Sequence, residues 1–196
     1  MIQEFKSSGS IVVVLESCIL YSAPMRDLLM WLATTNLFRP RWTDQIHEEW
    51  INTLLTNKSD LHKEQLEITR KNMNSHVMDC LVTNFEHIID SLILPDPDDR
   101  HVLAAAIKSK ANMIVTKNSR DFPEAVLRDY GIIPCHPDLF INHILQASPH
   151  AGCKAIKKLR TSLTNPKLSA GELLGIYEQQ GLPKTAKMLS DFKHLL

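Results

Sequence analysis

The sequence predicts an α/β fold, a three-layer α/β/α arrangement around a mainly parallel sheet, followed by a helical C-terminal extension. Three observations predict it. First, "SIVVVLES" at 10–17, "NMIVTKN" at 112–118 and "IIPCH" at 132–136 are short and apolar. Such runs fit strands buried on both faces, as in a parallel sheet. Second, segments with helical spacing separate these runs, and strands alternating with helices favour parallel pairing through right-handed crossovers. Third, the strand signal stops near "SPHAGC" at 148–153. The expected organisation is therefore one domain over residues 1–148 and a helical extension over 149–196.

Each element has its own signal. "APMRDLLMWLATTNLF" follows the first strand with Leu28, Leu29, Trp31 and Leu32 at helical spacing. "RPRW" at 39–42 breaks that pattern. "TDQIHEEWINTLLTNK" opens on Thr43 as an N-cap and places Ile46, Trp50 and Leu54 on one face. A long polar helix is expected from about Ser59 to Val82. "FEHIID" fits either a strand or a helix. "DDRHVLAAAIKSKA" is a strong helix, "DFPEAVLRDYG" a helix ending at Gly131, and "PDLFINHILQAS" another. Beyond 148, three short amphipathic helices are split by "TNPKLS" and "GLP".

The composition is that of an ordinary globular chain, with 44% hydrophobic and 22% charged residues among 196. "IVVVL" is far shorter than the roughly 20 apolar residues a membrane helix needs. "MIQEFKSSGS" carries Glu4 and no apolar core, so it does not read as a signal peptide, and a cytoplasmic location is expected. Cys18, Cys80, Cys135 and Cys153 show no CxxC spacing, which favours free thiols over a zinc site. The net charge is zero, yet residues 151–196 hold eight Lys/Arg against three Asp/Glu. A basic tail on an acidic body suits either polyanion binding or packing of the tail on its own domain.

The chemistry concentrates at "LPDPDDRHVLAAAI", residues 94–107. Three carboxylates, Asp96, Asp98 and Asp99, precede an apolar helix. One acid suffices to cap a helix and meet its dipole. Asp96 reads as a cap or a solvated group, Asp98 as the N-cap, and Asp99 as both cap and site member. In an open parallel sheet, functional residues gather beyond the C-terminal strand ends. Glu16 ends the first strand, Asn118 and Asp121 lie just beyond "MIVT", and Asp99 starts the helix leading into that strand. Glu48 and Glu49 lie on the helix after the first crossover. The topology thus allows Glu16, Glu49, Asp99 and Asp121 to converge. Carboxylates that converge without basic partners repel one another unless a cation joins them. A hard divalent ion, Mg²⁺ or Mn²⁺, matches all-oxygen ligands. Such an ion supports phosphodiester hydrolysis by activating water and stabilising the leaving oxygen.

The segments "VVVLESCILYSAPMRDLL", "LFRPRWTDQIHEEWI", "LPDPDDRHVLAAAI", "IVTKNSRDFP" and "YGIIPCHPDLF", in that order over about residues 11–140, resemble a PIN domain. This is the small metal-dependent ribonuclease fold of VapC-type toxins, and the likeness is to the subgroup with a C-terminal helical extension. The resemblance implies a PIN-like fold and an endoribonuclease that uses Mg²⁺ or Mn²⁺. It implies the toxin of a type II toxin–antitoxin pair, with RNA as substrate, an antitoxin protein as partner, and a homodimer. Carried over by position, it puts Glu16, Glu49, Asp99 and Asp121 at the metal as catalytic residues, with Glu48 the weaker candidate beside Glu49. The fourth acidic position falls at Asp121 or partly at Asn118, Thr116 resembles the small hydroxyl residue that braces such sites, and Asp98, apart from the resemblance, is the candidate supporting acceptor.

The chain departs from the family at one point: "LES" carries Glu16 where relatives carry Asp. The added methylene moves the carboxylate out by about 1.5 Å. Misplacement on that scale is costly at a catalytic site. Three outcomes are open: a repacked active site, a slow one, or an inactive module acting through RNA or protein binding. Arg39, Arg41, Arg100, Lys117 and Arg120 flank the acids in sequence and are candidate RNA contacts, since Arg forks suit phosphate. His47 and His101 are read as structural rather than catalytic, and Trp31, Trp42 and Trp50 as packing. A DNA-binding role for the tail helices is a third class, resting only on their charge and the "GLP" turn.

Overall fold

The computed structural model describes residues 11–196. The stretch "MIQEFKSSGS", read above as no signal peptide, lies outside the described residues. Strands β1 (Ile11–Leu15), β2 (Phe38–Arg41), β3 (Met113–Val115) and β4 (Ile133–Cys135) form one four-stranded sheet in the order β2-β1-β3-β4. β3 runs parallel to both its neighbours, with Leu15 beside Val115 and Val115 beside Cys135. The helices in chain order are α1 (Ser17–Tyr21), α2 (Ala23–Ala33), α3 (Asp44–Asn57), α4 (Lys63–His76), α5 (Glu86–Ile89), α6 (Arg100–Lys108), α7 (Glu124–Leu127), α8 (Pro137–Ala147), α9 (Pro149–Ser162), α10 (Ala170–Gln179) and α11 (Pro183–Asp191). The chain is α/β with a helical C-terminal region. None of its described helices is long and apolar enough to cross a membrane.

Contacts divide the chain into two compact units that interleave along the sequence. One holds Val12–Tyr21 and Arg39–His136 and carries nearly all of the sheet. Val13, Val14, Leu15, Met113, Ile114 and Val115 are all fully buried. That burial explains why β1 and β3 read as continuous apolar runs rather than alternating ones. α1 packs on α3, α3 on α4, and α6 on α5 and β3. Thr43 caps α3 by accepting a hydrogen bond from Ile46 N at 3.1 Å. A buried polar relay then braces α3. Trp50 Nε1 donates to His47 Nδ1 at 3.0 Å, His47 Nε2 faces Asn74 Oδ1 at 3.1 Å, and Trp42 Nε1 donates to the same oxygen at 2.7 Å. Because His47 Nδ1 accepts, its hydrogen sits on Nε2.

The second unit includes Ser22–Phe38 and Pro137–Leu196. α2 packs on α9 and α10, α8 on α9 and α11, and α10 on α11. Phe38 meets Phe140 edge to face with centroids 5.0 Å apart. Gly152 lets α8 and α9 approach closely, since a Cβ there would lie 2.3 Å from Leu145 Cδ2. Asp138, at the start of α8, caps a different helix. Its Oδ2 accepts from Lys184 N at 3.0 Å and its Oδ1 from Thr185 N at 2.8 Å, at the first turn of α11.

Three local expectations need correction. "RPRW" is not only a break. Residues Phe38–Arg41 form β2, where Phe38 and Pro40 are buried and Arg39 is exposed. The expected helix from Ser59 to Val82 is shorter, Lys63–His76. The chain beyond it turns at Asp79 (φ 56°) so that Trp42 exchanges backbone hydrogen bonds with Cys80 and Val82 at 2.9 and 2.8 Å. "DFPEAVLRDYG" yields only the short α7 and a 3₁₀ turn. Gly131 does end that segment, in the left-handed conformation (φ 68°) that glycine adopts without strain.

Candidate functional site

The site grows from the parallel pairing of β1 and β3. Leu15 sits beside Val115, so the next residues, Glu16 and Thr116, leave the sheet side by side at its C-terminal edge. Glu16 N donates to Val115 O at 3.2 Å, and Thr116 N to Cys135 O at 3.0 Å. Both side chains are buried, Glu16 at 7% and Thr116 at 1% exposure.

Each oxygen of the Glu16 carboxylate already has work. Oε1 accepts from Ser17 Oγ at 2.8 Å and from Cys18 N at 2.9 Å, which caps α1. Oε2 accepts from Thr116 Oγ1 at 3.0 Å. Thr116 in turn accepts from Asn118 N at 2.8 Å, so one hydroxyl ties the carboxylate to the loop that carries Asp121. Asn118 Nδ2 donates to Asp121 Oδ2. Cys18 borders this network. Burial, with the neighbouring Glu16 carboxylate adding to it, pushes its thiol up to about 12, so it stays protonated and is no nucleophile.

The "PDPDD" segment resolves into a cap and an uncapped carboxyl. Asp96 Oδ1 accepts from Asp98 N at 2.9 Å and caps the 3₁₀ turn Pro97–Asp99. The cap is therefore Asp96 and not Asp98, whose side chain is exposed. The two prolines hold Asp96 extended, which turns its carboxylate onto the amide two residues on. Asp99 stands at the N-terminus of α6 but makes no side-chain cap, so its carboxyl is not spent on the backbone. That carboxyl is pushed up to about 7, first by burial, then by the carboxylates of Glu16, Asp121 and Asp96, with His101 opposing. Glu16, Asp99 and Asp121 therefore share one negative field. Three of the four groups acting on Asp99 are anionic.

Glu49 is held differently. Its Oε1 lies 2.7 Å from His101 Nε2, on a side chain only 3% exposed. Sequence reasoning set His101 aside. The available signal was a polar residue two positions past Asp99, followed by the fully buried run Val102–Ala106. Glu48 is exposed. Among the candidate cations, Arg39, Lys117 and Arg120 are exposed, while Arg100 is half-buried and donates from Nε to Pro97 O at 2.9 Å. Arg41 is half-buried, and its guanidinium is shifted down by burial, with Asp79 opposing.

Among the described residues, no three His, Cys, Asp or Glu side chains stand as a ready-made metal-ligand group. The donor chemistry nonetheless fits a hard divalent cation. The donors are carboxylates, burial and their mutual repulsion together keep one protonated near neutrality, and a cation would relieve that repulsion. A cleft of about 240 Å³ lined by Ser17, Cys18, Tyr21, Trp50 and Thr53 opens beside Glu16 through its partners Ser17 and Cys18.

Residues 12–120, more than half of the chain, match the family model described as PIN domain. Residues 137–191 match the one described as VapC50 C-terminal domain. The chain is 35% identical over 82 residues to "Putative ribonuclease VapC50" of Mycobacterium tuberculosis (strain ATCC 25618 / H37Rv), a match covering 42% of this chain. The chain spans about half the length of this curated relative, 48%. No solved structure matches.

Proposed function

Because the chain belongs to the PIN domain family, we propose that it is a metal-dependent endoribonuclease, the toxin of a type II toxin–antitoxin pair. The observation that carries the reading is Asp99. Its carboxyl is free of capping work and is raised first by burial and then by three neighbouring carboxylates, two of which, Glu16 and Asp121, arrive from the loops that follow β1 and β3. Glu16, Asp99, Asp121 and Glu49 would hold Mg²⁺ or Mn²⁺. Bound there, the ion supplies an activated water and charge stabilisation at the scissile phosphate.

The chain's own residues do the rest. Thr116 fixes the Glu16 carboxylate, and Asn118 fixes both Thr116 and Asp121. Asp98, exposed on the same turn as Asp99, completes the acidic rim. Arg39, Arg41, Arg100, Lys117 and Arg120 neutralise RNA phosphates along the approach. An antitoxin protein silences the enzyme, two copies pair as a homodimer, and the complex works in the cytoplasm. Residues 1–148 act as the nuclease domain and 149–196 as its extension, a division that limited proteolysis tests.

A second reading has its own support. Both oxygens of Glu16 are engaged by Ser17, Cys18 and Thr116, and a carboxylate so engaged has less to offer a metal. On that reading the chain is a catalytically impaired PIN module that acts by binding RNA or protein. A fluorogenic RNA assay in Mn²⁺ decides. Cleavage by the native chain, lost in Asp99→Asn and on adding EDTA, supports the enzyme. Cleavage by Glu16→Asp alone assigns the native chain to the impaired class. No cleavage by either, with intact folding, removes the nuclease reading.

A further inference from the structure

We infer that His101 is a positioning residue that presents Glu49 to the metal, an inference that rests on the nuclease reading above. Glu49 comes from α3 and His101 from α6, and their Nε2–Oε1 separation of 2.7 Å is that of a charge-assisted hydrogen bond. The imidazole is 3% exposed and the Glu49 side chain 35%, so a buried ring holds a carboxylate that reaches toward solvent. The bond takes only Oε1 and leaves Oε2 outside it.

The other ring nitrogen sharpens the point. His101 Nδ1 is buried and has no hydrogen-bond partner. A buried polar atom without a partner is costly, and an apolar side chain among Val102–Ala106 would avoid the cost. What the imidazole provides is therefore at Nε2, on Glu49. His101 also stands two residues past Asp99, in the first turn of α6. One side chain thus links the glutamate of α3 to the acids at the sheet edge. Glu16 is fixed by Ser17, Cys18 and Thr116 and Asp121 by Asn118, and Glu49 by His101. Hydrogen-bonding partners of a ligating group typically set metal affinity by about 10–100-fold.

The alternative is that the pair merely staples α3 to α6, and the two differ in what a replacement must do. The experiment titrates Mn²⁺ into the full-length metal-free chain, read by electron paramagnetic resonance, for the native protein and for His101→Ala, His101→Asn and His101→Gln. Gln places an N–H where Nε2 stands; Asn is an amide too short to reach. Thermal melts accompany each titration. The inference expects about 10–100-fold weaker Mn²⁺ binding in the Ala and Asn variants and near-native binding in Gln. If His101→Ala does not fold, the Asn and Gln pair carries the comparison. Equal Mn²⁺ affinity for Asn and Gln, or native affinity in any variant lacking the donor, overturns the positioning role and leaves the nuclease reading standing. Absence of Mn²⁺ binding to the native chain overturns both.

Discussion

Replacing Glu16 by Asp tests how the acidic centre is built. Three hydrogen bonds hold the native carboxylate, at 2.8, 2.9 and 3.0 Å from Ser17, Cys18 and Thr116. Two are local and cap α1; the third spans 100 residues to β3's end. An Asp carboxylate retreats by about 1.5 Å and cannot keep both sets. Asp caps its own second amide well, so the bond to Thr116 is the one lost. Hydrogen bonds to a charged group contribute about 1.5–3 kcal/mol, and Thr116 is left 1% exposed with its acceptor gone. A chain of this size loses about 2–4 °C per kcal/mol. Metal-free Glu16→Asp should therefore melt about 3–12 °C below the native chain by calorimetry. Thr116→Val removes the same donor and should fall within that range. The reasoning is refuted if Glu16→Asp melts with the native protein while Thr116→Val is destabilised. Glu16 would then not depend on Thr116, and the family's Asp would fit without rearrangement.

Further outcomes follow from the same geometry. Burial holds His47 down to about 4 from its ordinary 6.5. The unfolded chain thus takes up this proton first, and the stability His47 allows is full above pH 6.5 and drains as pH falls toward 4. Two and a half units correspond to about 3 kcal/mol, which urea melts at pH 7 and pH 4 should show in the native chain and not in His47→Gln. Asp99 acts in the opposite direction. It keeps its proton up to about pH 7, so Mn²⁺ must displace it below that pH. Affinity by calorimetry should climb from pH 5.5 to 7 with proton release, then level off. A flat profile contradicts the shared field. Asp99→Asn should abolish Mn²⁺ binding and raise the melting temperature of the metal-free chain at pH 8, because it removes the most crowded charge. Asp138→Ala removes the cap of α11, buried at 4% exposure, and should cost about 1–2 kcal/mol.

Where the sequence carried a local signal, the fold could be read from it. β1, β3 and β4 announce themselves as apolar runs because the sheet buries all of β3, the last three residues of β1 and the end of β4. Thr43, the apolar face of α3 and the helix after "DPDD" follow from capping and spacing. β2 was hidden by Pro40. Its alternation of buried Phe38, exposed Arg39 and buried Pro40 is a strand pattern, but proline is expected only at an edge, and edge position is a property of the sheet. The polar helix was overdrawn because the turn at Asp79 serves a pairing with Trp42, which no nearby residue reveals. At the site, Glu16, Asp99 and Asp121 could be grouped because each sits at a strand end or helix start. The partnership of Glu49 with His101 depends on how α3 and α6 pack, and nothing in either segment specifies it.

The hundred-residue separation between β1 and its neighbour β3 also has a meaning in time. During synthesis at about 5–20 residues per second, "IVVVL" emerges about 5–20 s before the strand that will lie beside it. For that interval a sticky, fully apolar segment has an open edge, in a nascent chain that cannot yet assemble the acids it will need. A chaperone that covers this segment during the interval should therefore raise the soluble yield, which co-expression checks.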